Sequence, residues 1–120
     1  FLAARKWSDA SSLAIEHFNI TVFEHHKGLV SKIYLLDSID FIRQLGTHDI
    51  AERLTLYLEL INSYTERGKL FDEQIVNQVI VNLGELGDKV AFSDLSYTQM
   101  LNYSQKVKDA AETAIEKLQW

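Results

Sequence analysis

The sequence predicts an all-α fold, an up-down-up-down four-helix bundle forming a single domain over residues 1–120. Three observations predict it. Apolar residues recur every three or four positions along most of the chain, the period of a helix with one buried face. There is no proline and there are only five glycines, a composition suited to long helices joined by short turns. At 13.8 kDa, the chain is long enough for one hydrophobic core and too short for two.

In the N-terminal third, Trp7, Ala10, Ala14, Phe18, Val22, Leu29, Ile33, Leu36 and Phe41 thread onto one helical stripe reaching Leu45. A helix that long would run about 60 Å, roughly twice its neighbour. Either the helix breaks, with Asn19–Phe23, Gly28 and Asp37–Ser38 as candidate sites, or it runs on past the bundle at one end; a break or strong bend is favoured. The favoured site is Leu36–Ser38, where Asp37 or Ser38 could cap a short helix through Leu45. A first helix of about thirty residues precedes it.

The next helix is the clearest. From Thr47 to Arg67, Ile50, Leu54, Tyr57, Leu58, Ile61 and Tyr64 line one face. Thr47 is placed to cap its start, and Arg67-Gly68 forms a cationic last turn followed by glycine. A third helix opens at Asp72-Glu73 and carries Ile75, Val76, Val79, Ile80, Leu83 and Leu86. Its β-branched content suits a strand, but its apolar spacing is helical. Gly84 and Gly87 mark its end. The last helix starts at Asp94 or Ser96 and runs to the C-terminus, with Tyr97, Met100, Leu101, Tyr103, Val107 and Ala111 among its stripe residues. Its alanines let a neighbouring helix come close. Short loops at Gly46, Gly68–Phe71 and Gly87–Ser93 connect the bundle and bring both chain ends to the same end of it.

Composition narrows the chemistry. With no cysteine, disulfides, thiolate nucleophiles and Cys-containing zinc sites are excluded. A net charge of -5 without a basic tract argues against nucleic acid and anionic membrane surfaces as partners. The four histidines, His17, His25, His26 and His48, lack the i, i+3 or i, i+4 spacing of a helical metal pair, so no metal site is expected. Glu24-His25-His26-Lys27-Gly28 has glutamate where a phosphotransfer signature needs its histidine. Asp37 with Asp40, Asp72 with Glu73, and Asp109 with Glu112 are explained by caps and solvated faces. Asn19-Ile20-Thr21 and Asn102-Tyr103-Ser104 fit a glycosylation pattern that chance also produces. With no phosphate loop, nucleophile elbow or zinc-protease motif, neither an enzyme nor a cofactor is expected, and no catalytic residue is assigned. No apolar run approaches the eighteen or so residues of a membrane span, and no signal-peptide pattern opens the chain.

Phe1-Leu2 and Leu118-Gln119-Trp120 are apolar where chain ends are usually polar, as in a domain cut where it meets a bilayer. On its topology, length and ends, the chain resembles the four-helix-bundle extracytoplasmic sensory domains of bacterial membrane receptors, the histidine kinases and chemoreceptors. That resemblance implies a non-catalytic, ligand-sensing periplasmic domain of an inner-membrane protein, reaching the membrane only through flanking segments. It further implies a homodimer through the first and last helices and a small-molecule or protein ligand between helices. Lys27, Lys32 and Arg43 would then be the contacts for an anion. The alternative is a cytoplasmic helical protein–protein interaction domain, for which Leu56, Leu58 and Leu60 offer more leucine than one buried face requires.

Overall fold

Polar caps set where the helices begin. Ser31, Thr47 and Ser104 each accept a hydrogen bond from the backbone N–H three residues on, and Asp72 from that of Gln74. Each cap satisfies a donor that the first helical turn leaves unpaired. The computed structural model describes residues 2–120, with side chains from residue 10 onward. Phe1, and the side chains of Leu2 and Trp7 on which the sequence reading drew, lie outside the described residues. The elements are α1 (Leu2–His26), α2 (Lys32–Arg43), α3 (His48–Glu66), α4 (Glu73–Leu86), a 3₁₀ turn at Lys89–Ala91, α5 (Phe92–Met100) and α6 (Gln105–Glu116). The fold is all-helical.

Two of the expected helices are divided. The first breaks at residues 27–31 and not at Leu36–Ser38, through which α2 runs uninterrupted. Gly28 makes the reversal with φ +77°, the left-handed region that a side chain disfavours. Ser31 then caps α2, accepting from the Tyr34 N–H at 3.2 Å. Restarting the helix resets its phase. Leu35, Ser38, Ile39 and Ile42 face the core, whereas Leu29, Ile33 and Phe41 are 70%, 69% and 62% exposed. The last expected helix is likewise split at residues 101–104 into α5 and α6, and α5 begins at Phe92 rather than Asp94 or Ser96. Met100, expected on the apolar stripe, is exposed. Gly84 lies inside α4, and Gly87 is its left-handed cap at φ +67°.

Successive helices run antiparallel, and alternate helices align in parallel. In one layer α1 lies beside α3, with Ser11 Oγ 2.9 Å from Thr47 Oγ1 and Asn19 Oδ1 accepting from Arg53 Nε at 2.5 Å. In the same layer α3 meets α5, where Asn62 Nδ2 donates to Thr98 Oγ1 at 3.1 Å. In the other layer α2 lies beside α4, tied by Lys32–Asp72 at 3.1 Å and by Arg43 Nε donating to Asn82 Oδ1 at 2.8 Å. There α4 meets α6 through Gly84 on Ala114 and Lys117–Glu85 at 2.8 Å. Three helical hairpins thus stack side by side in a slab of 46 × 38 × 20 Å, two helices thick, as in helical-repeat architectures.

The core between the layers holds Phe18, Leu35, Ile39, Leu54, Leu58, Ile61, Val76, Val79, Ile80 and Leu95, all fully buried. Burying each such side chain stabilises the fold by about 1.5–3 kcal/mol. Both ends of the described chain lie at one end of the slab. Ser11 meets Thr47, His48 pairs with Asp88, and Gln119 N–H donates to Gly87 O at 2.8 Å. Trp120 is mostly exposed, its ring centre 5.2 Å from that of Phe92 in an edge-to-face arrangement.

Candidate functional site

Between α1 and α3 runs a groove of about 440 Å³. The α1 side presents Asn19, Val22, Phe23 and His26; the α3 side presents Tyr57, Leu60 and Tyr64; Phe71, in the α3–α4 connection, closes one end. The helical spacing of residues 19, 22, 23 and 26 puts the α1 set on one face, and 57, 60 and 64 do the same on α3. Beneath it Phe18 and Tyr57 pack edge to face, ring centres 5.7 Å apart, and join the two helices.

Aromatic rings and cations dominate the site. Tyr64 stacks on Phe71 with ring centres 6.0 Å apart. Arg67 and Lys69 approach the Tyr64 ring at 5.4 and 5.9 Å, and Lys27 approaches Phe23 at 5.5 Å. The Arg53 guanidinium sits 5.0 Å from the centre of Phe18 while its Nε bonds to Asn19. Such cation–ring contacts each contribute about 0.5–2 kcal/mol. Burial lowers the Arg53 pKa from its usual value, but an arginine remains charged. Burial also pushes the Tyr57 phenol up to about 12, so at neutral pH it is an uncharged donor.

The residues expected to contact an anion are not brought together. Lys27 borders the groove over Phe23, Lys32 pairs with Asp72, and Arg43 bonds to Asn82. Lys32 and Arg43 sit at opposite ends of α2, about 16 Å apart along the axis, and both serve the α2–α4 contact. The histidines are dispersed too. His25 and His26 line the groove, His17 Nε2 lies 3.4 Å from Tyr34 Oη, and His48 pairs with Asp88. Among the described residues no three His, Cys, Asp or Glu side chains cluster as a metal site would require. A second concavity of about 450 Å³ lies between α1 and α2, walled by His17, Tyr34, Asp37, Ser38 and Phe41.

Sequence reasoning took Tyr57, Tyr64 and Phe71 for core residues, and Tyr57 is indeed buried in the core, with Phe71 packed against it, while both also line the groove; it did not single out Arg53, Arg67 and Lys69 as site residues. The available signal was the surplus leucine of α3. Leu58 is fully buried, whereas Leu56 and Leu60 are exposed, Leu60 on the groove wall. Against known proteins, no family model, no curated protein and no solved structure matches the chain.

Proposed function

We propose that the chain is a non-catalytic helical binding domain whose ligand occupies the groove between α1 and α3. The observation that carries this reading is the groove itself, an aromatic-walled concavity with convergent polar groups, the form that ligand sites take. Stacked hairpins with an open face are also a common scaffold for recognition. The test uses the neutral fluorescent probe N-phenyl-1-naphthylamine. Its fluorescence is expected to rise on binding the native chain, and Phe23→Ser with Leu60→Glu is expected to abolish the rise while the thermal melt stays cooperative. Undiminished fluorescence in that folded variant would count against the groove.

A second reading is favoured by the position of the chain ends. In it, the domain is the extracytoplasmic sensor of a bacterial membrane receptor such as a histidine kinase or chemoreceptor. The up-and-down alternation supports it, extended here from four helices to six. α1 both lines the groove and runs to the end of the slab where α6 finishes, so a ligand wedged against α1 would shift it relative to α6. Small helix displacements of that kind can carry a signal to flanking membrane segments. Dimerisation through α1 and α6 and a periplasmic setting belong to this reading. A cytoplasmic interaction domain that takes a protein segment in the same groove is the counterpart, separated by whether membrane spans flank the domain in its parent protein.

A further inference from the structure

We infer that the groove between α1 and α3 selects a small anionic amphiphile, an aromatic or branched apolar body bearing one carboxylate, with the carboxylate seated at Arg53 and Asn19. The inference rests on the groove being the binding site and adds the chemistry of what enters it.

Charge is distributed unevenly around the groove. The chain carries seventeen Asp and Glu against twelve Lys and Arg, yet no carboxylate is among the residues that line this cleft. No Lys or Arg lines it either, but four cations lie against its walls: Lys27 on Phe23, Arg67 and Lys69 on Tyr64, and Arg53 on the buried Phe18 with its Nε on Asn19. Among the described residues none of them has a carboxylate within 4.0 Å, which is equally true of Arg43, Lys89, Lys106 and Lys108; what sets the four apart is the aromatic ring beside each. Arg53 is the most telling of them. Its side chain is half-buried with the guanidinium against the Phe18 ring, and its polar contact is a neutral amide oxygen. A partly desolvated cation without a counter-ion is costly, and a carboxylate bound beside it would be matched by charge-assisted hydrogen bonds. The Tyr57 hydroxyl, held neutral, is a further donor on the floor.

Size and polarity define the rest of the ligand. A cleft of about 440 Å³ falls within the range of small-molecule sites, roughly 300–1,000 Å³. Val22, Leu60, Tyr64 and Phe71 offer walls suited to an aromatic or branched body. A cationic amphiphile would meet four like charges, and a neutral one would leave Arg53 without its counter-ion.

The experiment titrates the native chain, amide by amide in solution NMR, with three probes of one shape: 2-naphthoate, 2-naphthalenemethanol and 2-naphthylmethylammonium. 2-Naphthoate is expected to shift the amides of residues 19–26 and 57–64 and to bind about tenfold more tightly than the alcohol. The ammonium compound is expected to bind weakest. Raising salt from about 0.05 M to about 0.5 M is expected to weaken the naphthoate alone. Arg53→Gln, which keeps a hydrogen-bonding group near Asn19, should erase the advantage of the acid while sparing the alcohol. Should Arg53→Gln fail to fold, the exposed pair Arg67→Gln and Lys69→Gln is expected to cut naphthoate affinity about twofold through the local potential. Equal affinity for all three probes, or a preference for the ammonium, overturns the anionic selectivity and leaves the groove a binding site. Shifts confined to other surfaces overturn both.

Discussion

Asn62 is an amide in the middle of an apolar interface, and the structure accounts for its hydrogen-bonding capacity. Its Nδ2 donates to Thr98 Oγ1 and Asp94 O at 3.1 and 3.3 Å, and its Oδ1 accepts from Tyr103 Oη at 2.7 Å. Thr65 Oγ1 donates to the same phenol oxygen at 3.0 Å. This network fixes the register of α3 against the α5–α6 hairpin, because apolar contacts alone tolerate sliding. Tyr103→Phe removes the principal donor to Asn62 Oδ1, and urea unfolding is expected to show a loss of about 1–3 kcal/mol. Thr55 is the opposite case. It is buried on α3, and its hydroxyl makes no hydrogen bond. Thr55→Val replaces that hydroxyl with a methyl group of similar size, so the same measurement is expected to show a gain of up to about 1 kcal/mol. Asn62 was not legible in the sequence because its partners are more than thirty residues away. Tyr103 was placed on the apolar stripe, and it is indeed buried, but its polar role depends on that distant asparagine.

At the scale of elements, close approach and chain reversal set the constraints. A Cβ at Gly84 would lie 2.9 Å from Ala114 Cα, so α4 and α6 touch backbone to backbone. Gly84→Ala gains about 1 kcal/mol of helix propensity but forces the helices apart, and a net loss of about 1–2 kcal/mol is expected in thermal or urea unfolding. The alanines of the last helix announced such an approach in the sequence; Gly84 was read as a helix end because its partner on α6 is not visible locally. The starts of α3 and α4 were legible, since Thr47 and Asp72 act through neighbouring residues, whereas those of α2, α5 and α6 were not. The break in the first helix was harder, because an apolar stripe can be threaded across Gly28 and only tertiary packing decides between the candidate sites. His48 and Asp88 join the start of α3 to the turn after α4. Hydrogen bonding and charge from Asp88 raise the His48 pKa above 6.5. Burial pushes the Asp88 carboxyl up, but the hydrogen bond and charge of His48, with the Val90 N–H, outweigh it and hold the group below 3.8. The histidine's contribution is therefore complete below pH 6.5 and is lost as pH rises through its elevated folded pKa. The aspartate's is present above pH 3.8 and is lost as pH falls through its depressed one. Comparing native and His48→Gln chains by urea unfolding from pH 3 to 9, the native advantage should be greatest between about 4 and 6.5 and shrink on either side.

For the whole molecule, the even number of alternating helices returns the chain to the end where α1 begins, with α1 itself forming one wall of the groove. The all-helical class was legible from periodicity and the lack of proline. The stacking of three hairpins was not, because Gly28 was only one of several candidate breaks, residues 101–104 do not announce a reversal against a continuous apolar pattern, and the chain carries no sequence repeat. The groove was hidden for the same reason, since it forms between α1 and α3, elements about thirty-five residues apart in register. If groove occupancy moves α1, spin labels at Ser12→Cys and Glu116→Cys, unique thiols in a cysteine-free chain, should change their separation when N-phenyl-1-naphthylamine is added. An unchanged distance distribution at saturation would sink the transmission reading while leaving binding intact.

The most direct test of the central claim is a search for intermolecular nuclear Overhauser effects between bound N-phenyl-1-naphthylamine and the methyl groups of the chain. Cross-peaks from its ring protons to Val22 and Leu60, on facing walls of the groove, are the expected result. Contacts confined to Val81 and Ala110, on the α4–α6 face, would contradict it.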